Sequence, residues 1–96
     1  MIEIIKLVDI IKLKIKANTD LMWTHYNSVD ELIAEIDLNS KLLEKNNRKG
    51  LEFFQLLFSP TATLQEISIQ NGWSQEYLKL AAEFDNIYEN LNNKNK

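Results

Sequence analysis

Apolar residues recur along most of this 96-residue chain at three- and four-residue steps, the period of a helix with one buried side. From Ile2 to about Ala17 the stripe is Ile4, Val8, Ile11 and Ile15, with Leu7 beside it. Alternation with period two, the mark of a strand, fails at Ile4-Ile5, Leu7-Val8 and Ile10-Ile11. Ile2, Ile10 and Leu13 fall off the stripe. The apolar arc is therefore wider than a one-sided surface helix needs. This helix is either sandwiched between neighbours or carries a second contact surface.

Asn18 to Asn27 reads as a connection, although Thr19–Trp23 could prolong the first helix. Ser28 followed by Glu31 is a capping box, with two acids, Asp30 and Glu31, suited to the positive end of a helix. A second helix is expected to about Asn46, with Val29, Leu32, Ile33, Ile36 and Leu43 on one face. Asn46 to Gly50 is a polar break. Leu51–Phe58, the most apolar octet in the chain, is then a short buried helix capped by Asn46 or Asn47. A buried strand is the alternative by period, but the helical flanks leave it no partner. Pro60 disfavours helix at Ser59, which places a loop there. Thr63 and Glu66 repeat the capping-box pattern. Gly72 suits the left-handed residue that ends a helix, and Ser74 suits the cap of the last one. Tyr77, Leu80, Ala81, Phe84, Ile87, Tyr88 and Leu91 share a face of that last helix.

These elements predict an all-α fold: a compact antiparallel bundle of four main helices plus one short one. A single domain spans 1–91, and 92–96 is a polar tail.

Thr63 to Leu91 has the outline of a helix-turn-helix. Ser68 takes the small position four before the turn glycine. Ile67, Trp73, Leu78 and Ala81 take the apolar positions that hold the two helices together, while Asn71 stands where an apolar residue is usual. As a DNA reader it would offer Ser74, Gln75 and Lys79 to the groove. Its charge opposes that role. Glu66, Glu76, Glu83, Asp85 and Glu89 outnumber the single Lys79, and DNA affinity comes largely from Lys and Arg on phosphates. Lys12, Lys14, Lys16, Arg48 and Lys49 could help only if the fold brought them near.

The formal net charge of −3 also lacks the basic excess of a nucleic-acid binder. There is no cysteine, hence no disulfide framework or thiolate site. Gly50 and Gly72 are the only glycines, so no phosphate-cradling loop exists. The single histidine, His25, lacks a convincing nucleophile partner and too few ligand types surround it for a zinc site. No cofactor is expected. Glu3, Lys6, Asp9 and Lys12 interrupt the apolar start, which excludes a signal peptide or a membrane span there. A cytoplasmic protein fits these absences, and frequent Asn, Ile and Lys fit an AT-rich bacterial genome.

Trp23-Thr24-His25-Tyr26-Asn27 gathers aromatic and polar residues in a connection, where function often resides. Trp23, His25 and Tyr26, joined by Trp73 and Tyr77 if the two connections meet, form a candidate partner-binding patch. The leading expectation is a non-catalytic helical interaction protein that binds itself, as a two-fold dimer, or another protein. Its acidity would suit an antitoxin-like or immunity-like cover for a basic surface. The alternatives are a helix-turn-helix regulator and a small-molecule or enzymatic site near His25.

Overall fold

The computed structural model describes residues 2–22, 24–59 and 62–94, the last three as backbone only. Among the described residues there are five helices and no strand: α1 (Ile2–Lys14), α2 (Val29–Glu44), α3 (Arg48–Leu57), α4 (Thr63–Asn71) and α5 (Ser74–Lys94). The fold is all-α, as the periodicity predicts.

The stripe of α1 is buried as expected, with Ile4, Leu7, Val8 and Ile11 all inside. It packs against α2 and α5. α1 stops at Lys14 rather than near Ala17, and Ile15 closes it by donating to the Ile11 carbonyl at 3.2 Å. Ile15 itself remains buried.

α2 starts on its capping residue. The Ser28 Oγ accepts from the Glu31 amide at 3.1 Å. Glu31 reaches back one residue further than the standard box, accepting from the Asn27 amide at 3.3 Å. The helix ends at Glu44, short of Asn46, because Asn46 adopts a left-handed conformation with φ 57°.

α3 begins three residues earlier than the apolar octet. Asn47 caps it, accepting from the Lys49 amide at 2.9 Å. Arg48, Lys49 and Gly50 thus belong to its first turn and not to a break. Gly50 is buried against α2, the helix α3 packs on most extensively.

The corner differs from expectation at its caps. The residue before α4 is Ala62, which offers no side-chain bond, so Thr63 is inside the helix and no second capping box forms. Gly72 ends α4 at φ 82° as predicted. The Trp73 amide returns to the Ser68 carbonyl at 2.9 Å, a Schellman-type closure. α5 already includes Ser74, and its first bond runs from the Tyr77 amide to the Trp73 carbonyl at 3.0 Å. Trp73, not Ser74, therefore flanks the helix. The expected apolar face of α5 is inside or half-buried along its length. Phe84 stacks on Phe58 with ring centroids 4.6 Å apart, locking α5 to the end of α3. α5 carries its backbone to Lys94. The side chains of the expected polar tail, and residues 95 and 96, lie outside the described residues, as does Pro60.

Candidate functional site

Among the described residues, three places stand out as able to meet a partner or ligand. The first is a cavity of about 390 Å³ between the segment before α2 and the end of α3. Phe53, Leu56 and Leu57 form its apolar wall, and His25, Tyr26 and Glu35 its polar end. The ring of the exposed His25 lies 4.1 Å from that of the buried Tyr26, tilted by 33°. Glu35 lies within side-chain hydrogen-bonding reach of the Tyr26 hydroxyl. The Tyr26 pKa is pushed well above the ordinary tyrosine value, first by burial, then by that hydrogen bonding and the Glu35 and Glu31 charges. With its pKa raised, Tyr26 keeps its proton through the neutral range.

The second is a more polar cavity of about 290 Å³ at the corner, lined by Lys14, Lys16, Asn18, Thr19, Asn71 and Trp73. Asn71 explains its own departure from an apolar residue here. Its side chain accepts from the Asp20 amide at 2.9 Å and donates to the Asp20 and Ile67 carbonyls at 2.9 and 2.8 Å. It ties the connection after α1 to α4. Trp73 is buried, and its Nε1 has no hydrogen-bond partner among the described residues.

The candidate patch therefore divides. His25 and Tyr26 line one cavity and Trp73 the other. Tyr77 is a core residue: its hydroxyl donates to the Phe58 carbonyl at 2.9 Å, and burial, then the Asp85 charge, raises its pKa. Trp23 lies outside the described residues. Glu35 and Phe53, from different helices, complete the first cavity. No spacing rule links them to His25, so the sequence offered no signal for the grouping.

Of the DNA-facing candidates, Gln75 and Lys79 are exposed and Ser74 is half-buried. The fold does bring α1 lysines to this corner, but Lys14 is ion-paired with Glu76. Lys12 is paired with Asp37 at 2.5 Å. Leu78, expected to hold α4 to α5, is instead exposed; Ile67, Trp73 and Ala81 do pack inward. Among the described residues no three His, Asp or Glu side chains cluster as metal ligands, and no helix is long and apolar enough to cross a membrane.

The third place is the outer side of α1. Ile2, Ile10 and Leu13, the residues off the buried stripe, are 66%, 41% and 77% exposed. The monomer leaves Ile2 and Leu13 largely uncovered and Ile10 partly so. Scattered exposed apolar residues are ordinary on a protein surface, but three on one side of one helix are a candidate contact face. Set beside known proteins, the chain matches no family model, no curated relative and no solved structure.

Proposed function

We propose that this chain is a small, non-catalytic helical interaction protein that docks a protein surface through the outer side of α1. One observation carries the reading. α1 spends its inner stripe on the core and still presents Ile2, Ile10 and Leu13 outward. Covering such side chains removes apolar area from water at about 25 cal/mol per Å², which favours association. The other places support the reading less well. At the corner, Glu76 pairs with Lys14, so that lysine is not available to a phosphate. Lys16, which lines the cavity there, and Lys79 are outnumbered by the acids of α5, Glu83, Asp85 and Glu89 among them, in a chain of net charge −3. In the first cavity, the Ser59 hydroxyl is engaged with the Gln55 carbonyl at 2.7 Å, and no cluster of metal-ligating side chains surrounds His25 among the described residues.

A photo-crosslinking phenylalanine analogue in place of Leu13, with one in place of the exposed Glu83 as a control, tests the reading in cells that express the protein. The expected result is a discrete protein adduct at the Leu13 position and none at Glu83. Adducts at neither position, or equally at both, contradict it.

A further inference from the structure

The docking reading leaves open what covers α1, and the chemistry of the exposed side answers this in one specific way. Ile2, Lys6, Asp9 and Leu13 follow one another at steps of four, three and four, the spacing of the inner positions of a two-stranded coiled coil. All four are exposed, and Ile10 flanks them. Along the stripe the chemistry runs apolar, basic, acidic, apolar.

That order is self-complementary. Ile2 and Leu13 lie equally far on either side of the midpoint between Leu7 and Val8, and so do Lys6 and Asp9. A two-fold axis through that midpoint, perpendicular to the helix, sets Ile2 against Leu13 of a second copy. It also sets Lys6 against Asp9 of the second copy, and each pair occurs twice. A parallel arrangement in register would instead oppose Lys6 to Lys6 and Asp9 to Asp9. Polar residues at inner positions fix orientation in this manner, at some cost in affinity. Among the described residues, the lysines of α1 that form ion pairs within the monomer are others: Lys12 with Asp37 and Lys14 with Glu76.

We propose that the chain pairs with a second copy of itself through antiparallel α1 helices. Ile2–Leu13 layers close the two ends of the seam, and Lys6–Asp9 ion pairs fill its middle. The inference rests on the docking reading and names the partner. α1 is about 20 Å long, and a seam of that length offers less than the roughly 1,200 Å² of a standard stable interface. The pairing is therefore weak and concentration-dependent.

Sedimentation equilibrium from about 10 μM to about 1 mM on wild type, Lys6→Asp, Asp9→Lys and the double swap tests it. Both positions are solvent-exposed, so circular dichroism should show unchanged helicity in every variant. The wild type should move toward twice its monomer mass. Each single substitution should weaken association about tenfold or more, by opposing like charges. The double swap should restore it. A one-to-one mixture of the two single variants should restore it too, because one variant then carries only acids at the two positions and the other only lysines. A wild type that stays monomeric, single variants that associate like wild type, or a double swap that fails to recover would each overturn the pairing. The crosslink at the Leu13 position separates the two ideas. An adduct of twice the chain mass supports both. An adduct with a different protein overturns self-pairing and leaves the docking reading standing, and no adduct removes both.

Discussion

Gly50 of α3 lies so close to Asn39 of α2 that a Cβ on Gly50 would sit 2.6 Å from the Asn39 carbonyl oxygen. The obstacle is backbone, and Leu42 Cβ at 3.0 Å closes the same space. The two helices touch there without an intervening side chain. Intrinsic propensity says that Gly→Ala inside a helix stabilises by about 0.5–1 kcal/mol. We expect Gly50→Ala to go the other way, losing about 1–3 kcal/mol as α2 and α3 are forced apart. Urea unfolding measures this. A neutral or stabilised variant would show that the helices are not in such close contact.

Gly72 makes a controlled contrast. An added Cβ there would meet nothing within 4 Å, but φ is +82°. The expected cost of Gly72→Ala is therefore backbone strain alone, about 1–2 kcal/mol. Gly72→Asn should lose less, because Asn tolerates left-handed backbone better. Equal losses for the two variants in thermal or urea melts would contradict this account of the turn.

Tyr77 ties α5 to the end of α3 through its 2.9 Å bond to the Phe58 carbonyl. Tyr77→Phe should cost about 1–2 kcal/mol, since that buried carbonyl loses its donor. Burial and Asp85 raise the Tyr77 pKa in the folded chain. Burial, the bond to Glu35, and the Glu35 and Glu31 charges raise that of Tyr26. The unfolded chain then releases these protons first, at pH about 10. Above that pH the folded state holds more protons, so stability falls as pH rises. Urea midpoints between about pH 8 and 11 should decline for wild type and decline less for Tyr77→Phe and Tyr26→Phe. Identical slopes in all three would count against the raised pKa values.

Much of this architecture was legible from local chemistry. The stripe of Ile4, Val8, Ile11 and Ile15, the Ser28 cap, the left-handed Gly72 and the inner face of α5 each follow from period or cap geometry, and each is present. Most of the misreadings trace to tertiary contact, and one to a local helix boundary. Gly50 looks like a helix breaker until α2 is known to lie against it. Asn71 looks misplaced until its side chain is seen holding Asp20. Thr63 resembles a cap, but the chain enters α4 one residue earlier, at Ala62. The candidate patch split for the first of these reasons. Its members come from two connections, and nothing in sequence spacing fixes which ends of the helices meet. The surplus apolar arc of α1 was visible at once, but only the packing of the monomer shows that it is left uncovered.

If a second copy covers the outer side of α1 as proposed, dilution of isotope-labelled protein should show it residue by residue in amide NMR spectra. Concentration-dependent shifts should concentrate on Ile2, Lys6, Asp9, Ile10 and Leu13, with the rest of the chain largely still. Spectra that do not change with concentration, or shifts centred on the His25 cavity or on α5 instead, would contradict the proposal.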